Sequence, residues 1–116
     1  MEIAPTTRSQ PLLIIETSVF TRQIQTELDE ESYRLLQVEL ARNPEAGALI
    51  RGTGGLRKIR WATRGRGKSG GIRVIYYWHR PRELLLMLLA YSKSVQDDLT
   101  PAQRKVLRDL VREELG

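Results

Sequence analysis

Ile72-Arg73-Val74-Ile75-Tyr76-Tyr77-Trp78-His79, then Arg80-Pro81-Arg82-Glu83, then Leu84-Leu85-Leu86-Met87-Leu88-Leu89-Ala90-Tyr91: this stretch decides the fold. Its first part is rich in β-branched and aromatic residues and reads as a strand. Arg80-Pro81-Arg82 is a tight turn. Glu83 to Tyr91 is a second strand, and its core, Leu84 to Ala90, is apolar at every position. Such a run is expected of a central strand covered on both faces.

Upstream, Leu56 to Ala62 reads as a third strand. It is separated from Ile72 by Thr63-Arg64-Gly65-Arg66-Gly67-Lys68-Ser69-Gly70-Gly71. That segment is too basic and glycine-rich to pack and is expected to be a mobile hairpin loop. Three strands joined in this way make an antiparallel meander. Leu49-Ile50 is a candidate short strand, and Gly52-Thr53-Gly54-Gly55 a turn. Near the start, Leu12-Leu13-Ile14-Ile15 reads as a first strand. Thr17 or Ser18 caps a helix with Phe20, Ile24 and Leu28 on one stripe. Asp29 caps a second helix, which carries Tyr33, Leu36 and Leu40 and stops before Pro44; the short link between them predicts an antiparallel helical hairpin. At the other end, Thr100-Pro101-Ala102-Gln103 is a capping box with proline at the first helical position, and Val106, Leu107, Leu110 and Val111 give that helix a packing face. The order defines an α+β domain, a small antiparallel sheet with an N-terminal helical hairpin, a C-terminal helix, and helices mainly on one sheet face.

The length, 116 residues, suits one domain. Residues 1–11 are polar and are expected to be a loose leader, with the domain over 12–116. The absence of cysteine excludes disulfides and thiolate metal sites and fits a reducing cytoplasm, the expected location. A single histidine, His79, cannot build a zinc site alone. No apolar run approaches the roughly 20 residues that span a bilayer, so no membrane association is expected.

Charge is distributed unevenly. Between Ala46 and Arg82 lie ten of the 19 Lys and Arg residues and none of the 14 Asp and Glu residues. Eight of the nine glycines share that window. The middle therefore carries +10 and the flanks 9 − 14 = −5, which together give the net +5. A localised positive field of this kind suits a polyanion, nucleic acid above all. Alternation along Leu56 to Ala62 places Lys58 and Arg60 on one sheet face, with Ile59 and Trp61 on the other. Arg73 starts the next strand and can join Lys58 and Arg60 as a phosphate-binding surface. A solvated basic sheet face is the plain alternative, but such faces usually mix signs. Tyr76 and Tyr77 must point to opposite faces, so one of them can accompany the cations as a stacking ring, while Trp61 and the other pack in the core.

Three further motifs carry little. Ala62 to Ser69 is a loose P-loop match, but it leads into a strand where a P-loop needs a helix N-terminus. His79 sits at a strand end with no orienting carboxylate and reads as a turn residue. Asp97 and Asp98 precede the last helix, where its dipole suffices to explain them, and no metal is assigned.

Gly52-Thr53-Gly54-Gly55-Leu56-Arg57-Lys58-Ile59-Arg60, Gly67-Lys68-Ser69-Gly70-Gly71 followed by Arg73-Val74-Ile75-Tyr76-Tyr77, and Tyr91-Ser92-Lys93 with Asp98-Leu99-Thr100 resemble the RelE/HigB toxins of bacterial type II toxin–antitoxin pairs. The HigB branch, with its long basic hairpin, is nearest. The resemblance spans about residues 12 to 114. It implies a ribosome-dependent mRNA endonuclease without cofactor, in which the 2′-hydroxyl attacks the adjacent phosphate. It also implies a cognate HigA-like antitoxin, often a helix-turn-helix protein. By position, Lys58 and Arg60 match the family's basic strand pair, each as base or phosphate clamp. A lysine among cations gives up its proton more readily, which favours Lys58 as base. Arg73 matches the arginine that grips the scissile phosphate, and Lys93 the basic residue after the last strand. The family's C-terminal tyrosine or histidine is not found, since Thr100 stands near that place; Tyr91 is then the candidate acid by proximity. Arg57, Arg64, Arg66 and Lys68 are the expected RNA contacts. A non-catalytic RNA- or ribosome-binding module is the rival reading.

Overall fold

The computed structural model describes residues 12–62 and 71–116. The expected leader and the loop positions Arg64, Arg66 and Lys68 lie outside the described residues. The elements are β1 (Leu13–Glu16), α1 (Ser18–Glu27), α2 (Glu30–Arg42), β2 (Ala48–Leu49), β3 (Leu56–Trp61), β4 (Ile72–His79), a 3₁₀ turn (Arg80–Arg82), β5 (Leu84–Ser92) and α3 (Pro101–Leu115). Thr17, Asp29 and Thr100 cap the three α-helices through their side-chain oxygens, and Gln103 completes the capping box of α3.

β3, β4 and β5 form the expected antiparallel meander inside a five-stranded sheet of order β1-β5-β4-β3-β2. One pairing differs from expectation: β1 lies parallel to β5, from Leu13 opposite Leu84 to Glu16 opposite Met87, so the sheet is mixed. Parallel neighbours need a long crossover, and α1 and α2 begin the path that supplies it. A second difference concerns the layers. Phe20, Ile24, Leu36 and Leu40 from α1 and α2 pack on one face against Ile72, Val74, Tyr76, Leu85 and Met87. Leu107 and Val111 of α3 cover the opposite face, against Leu56, Ile75, Leu84, Leu86 and Leu88. β5 is apolar from Leu84 to Ala90 because both of its faces are roofed.

β5 also bulges. The register steps from Ile75 opposite Leu89 to Tyr76 opposite Met87, leaving Leu88 as an additional residue. Strict alternation from Leu84, Leu86 and Leu88 would turn Tyr91 toward α1 and α2. Instead Ala90 joins that layer and Tyr91 joins the α3 layer. Re-aiming a side chain is what a bulge does. Helix α1 holds it in place: the Thr17 hydroxyl donates to the Leu88 carbonyl at 3.0 Å, and Gln23 Oε1 accepts from the Ala90 amide at 2.8 Å. Backbone groups near the bulge are thus satisfied by side chains.

Tyr76 anchors the loop that leads into β2. Its buried hydroxyl donates to the Pro44 carbonyl at 2.7 Å and accepts from the Gly47 amide at 2.9 Å. A side chain on Gly47 would place a Cβ 2.9 Å from the Tyr76 ring, so this approach requires glycine. Burial pushes the Tyr76 phenol pKa upward, so it stays a neutral donor. Tyr76→Phe keeps the ring but strands two backbone groups. It is expected to lower stability by about 2 kcal/mol, measured by urea unfolding.

Candidate nucleic-acid interface

Register brings the candidate residues together. Arg60 on β3 lies opposite Arg73 on β4, and Arg73 lies opposite Tyr91 on β5, so the three form one row across three strands. Lys58 is two residues along β3 on the same face. Arg73 is only 3% exposed, whereas Arg60 is at the surface. Like charges directly opposite on neighbouring strands repel, and a buried cation must be paired. The row therefore needs anions.

The chain supplies two, from outside the window Ala46 to Arg82 that holds no Asp or Glu. Asp97 and Asp98 lie in the loop between β5 and α3, ahead of the Thr100 cap, and the first turn of α3 contains no acid. They serve the cations rather than the helix dipole. Asp97 Oδ1 accepts from Arg73 Nη2 at 3.2 Å, and Asp98 Oδ1 from Lys58 Nζ at 2.5 Å. The Lys58 hydrogen bond and charge hold the Asp98 carboxyl below the usual carboxylate range, helped by Arg104 and Arg60. Gln96 fastens the loop, donating to the Asp98 carbonyl at 2.8 Å and to Gln103 Oε1 at 3.0 Å.

Tyr91 is buried against this loop, its hydroxyl donating to the Asp97 carbonyl at 3.4 Å. Its pKa is raised, first by burial and then by the Asp98 charge, against an opposing pull from Arg73. The phenol therefore keeps its proton at neutral pH. Sequence proximity alone suggested Tyr91; the bulge at Leu88 is what turns it toward Arg73.

Two candidates are not brought to the row. Arg57 points to the other side of β3, where its guanidinium donates to the carbonyls of Glu45 at 3.1 Å and Gly47 at 2.7 Å. It braces the β2 loop, as its odd place in the alternation with Lys58 and Arg60 requires. Lys93 is exposed just past β5; its backbone amide donates to the Gly71 carbonyl at 3.2 Å, and among the described residues its ammonium makes no ion pair. One residue was missed. Arg104, on the first turns of α3, acts electrostatically on Asp98. Its spacing, four from Thr100, was visible, but the loop that brings Asp98 beneath it was not.

This layout, a five-stranded mixed sheet with two helices on one face and one on the other, is the RelE-like α+β fold. No family model matches the sequence. Among solved structures, a mutant of the E. coli toxin RelE in the free state superposes with a TM-score of 0.55 at 15% identity, covering 76% of this chain and 90% of that one. The intact E. coli RelBE toxin–antitoxin complex gives 0.54 at 17% identity, covering 70% and 95%. The archaeal RelE–RelB complex from Pyrococcus horikoshii gives 0.50 at 18% identity, covering 72% and 97%. Among the described residues no helix is long and apolar enough to cross a membrane.

Proposed function

We propose that this chain is a ribosome-dependent mRNA endonuclease, the toxin of a type II toxin–antitoxin pair of the HigB-like branch. The row Arg60–Arg73–Tyr91, with Lys58 beside it, is the observation that carries this reading. It joins a buried guanidinium, two more cations and a protonated phenol on one face of a RelE-like sheet.

In this mechanism the substrate phosphate takes the place of the Asp97 and Asp98 carboxylates. Arg73 grips two phosphoryl oxygens with its planar fork, and Arg60 adds a second positive charge from the solvent side. The 2′-oxygen bonds to phosphorus, and the bond from phosphorus to the 5′-oxygen breaks. This leaves a 2′,3′-cyclic phosphate and a 5′-hydroxyl. The cations stabilise the charge that builds on the phosphoryl oxygens. Tyr91 donates its proton to the departing 5′-oxygen. Once the phosphate displaces Asp98, Lys58 stands where a base is needed; it releases its own ammonium proton to water and then takes the 2′-hydroxyl proton as the free amine. Lys93, at the rim, contributes charge only. The basic loop carrying Arg64, Arg66 and Lys68 adds backbone contacts beyond the row.

The complexes that RelE relatives form with RelB support a cognate antitoxin for this chain, and the HigB-like sequence features favour a HigA-like helix-turn-helix partner. Inducing the chain in a bacterial host and mapping new mRNA 5′ ends tests the proposal. Cuts confined to translated frames, bearing 5′-hydroxyls, are expected. Growth arrest without new ends would replace the nuclease with a non-catalytic ribosome-binding module.

A further inference from the structure

Three arginines of α3, Arg104, Arg108 and Arg112, recur every four residues and so lie along one side of the helix. Each is about 6 Å from the next along the axis, from four residues at 1.5 Å each. The stripe begins at the row described above, where Arg104 acts on Asp98. Further along, Arg108 Nη1 donates to the Gly52 carbonyl in the turn before β3, at 3.4 Å. Nε of Arg104 and Nε of Arg108 are both buried without a hydrogen-bond partner. Asp109 approaches Arg108 Nε only to 3.7 Å, while its other oxygen is taken by Lys105 at 3.1 Å.

At its far end the stripe meets a cavity of about 120 Å³ whose lining includes Tyr77, His79, Arg108 and Arg112 and no Asp or Glu side chain. The Tyr77 and His79 rings lie 6.3 Å apart, inclined by 31°. Both are half-buried and both line the cavity. Cations spaced along a groove that ends on aromatic rings have the makings of a single-strand binding site. The cations follow the phosphates, and a ring offers its face to a base whatever the sequence.

We propose that the groove between α3 and the Gly52–Gly55 turn is a second RNA subsite. It holds the single strand several nucleotides from the scissile phosphate, with Arg108 and Arg112 on the backbone and a base stacked on Tyr77 or His79. The proposal rests on the reading of the Arg73 row as the point of cleavage. It extends that reading to residues far from the chemistry, and it gives His79 a stacking role in place of the turn role read from the sequence.

The test is equilibrium binding of fluorescein-labelled single-stranded RNA to the full chain. The probes are a trinucleotide and a twelve-nucleotide oligomer, both with 2′-O-methyl riboses to prevent cleavage. Arg108→Gln/Arg112→Gln is expected to weaken the long oligomer on the order of tenfold and to lower its salt slope by about 1.4, two contacts at about 0.7 each. Trinucleotide binding should be unchanged. His79→Ala should weaken the long oligomer at every salt concentration without altering the slope. Unchanged long-oligomer binding in both variants overturns the subsite. So does equal weakening of both probes, which would mark a general field or a damaged fold; thermal unfolding of each variant separates those two. Intact RNA binding combined with lost affinity for an acidic polypeptide, poly-glutamate, would reassign the stripe to a protein partner. Because the assay reads binding alone, absence of cleavage by the wild-type chain would remove the nuclease proposal while leaving the groove to be judged by these affinities.

Discussion

Replacing Arg73 with alanine is expected to lower mRNA cleavage in translating extracts by about 100-fold or more, the loss seen when one charge-stabilising donor leaves a transition state. Arg73 is the one cation of the row that is almost fully buried, so water screens it least and its charge counts most. Arg73→Lys should recover only a small part of the activity. Lysine restores the charge but not the two parallel donors that match phosphoryl oxygens. The fold should survive both changes, because Asp97, left behind, is 56% exposed and can turn to solvent. Circular dichroism and thermal unfolding check that point. Arg60→Ala, at an exposed position, should cost less. Full toxicity of Arg73→Ala would move the catalytic centre off this sheet face.

Much of the scaffold was legible because local chemistry and tertiary structure agree. Thr17, Asp29 and the Thr100–Gln103 box mark helix starts by satisfying amides that have no other partner. Residues 72–79 and 84–92 could be little other than neighbouring strands. What escaped was set by long-range pairing. Nothing in Leu13–Glu16 says that it lies parallel to β5, since so short a strand pairs as well either way. Likewise, the run Leu84–Ala90 conceals its bulge: when every position is apolar, hydrophobic periodicity cannot report which residue is extra. Tyr91 could therefore be proposed from the sequence but not oriented. Alternation along β3 worked at Lys58, Arg60, Ile59 and Trp61, because that strand does alternate. The same rule, applied to Arg57, places it on the face opposite Lys58 and Arg60. Asp97 and Asp98 were misread for a different reason. A helix N-terminus is a sufficient home for acids, so their pairing with Lys58 and Arg73, some 40 and 24 residues away in sequence, left no local trace.

Those two carboxylates carry the second large expectation. Asp97→Asn/Asp98→Asn should bind single-stranded RNA about tenfold more tightly than the wild-type chain at low salt. An acid seated on a phosphate-binding cation competes with phosphate, and its removal also deletes two negative charges from the approach path. The same variant should cleave at least as well as wild type when substrate is scarce, since neither carboxylate is assigned a proton-transfer role. pH gives an independent reading. On the acid side, a carboxyl held below its usual range keeps its ion pair from neutral pH down through that range and loses it as the pH falls through the depressed value. The Asp98–Lys58 contact is therefore closed at neutral pH. For Asp98→Asn alone, the affinity gap from wild type should persist from neutral pH down through the ordinary carboxylate range, then narrow in more acid solution as Asp98 takes up a proton. Equal affinity of the two proteins at neutral pH would show that the pairs yield to RNA without cost. Loss of cleavage with tighter binding would instead make one of the carboxylates the base for the 2′-hydroxyl and relieve Lys58 of that role.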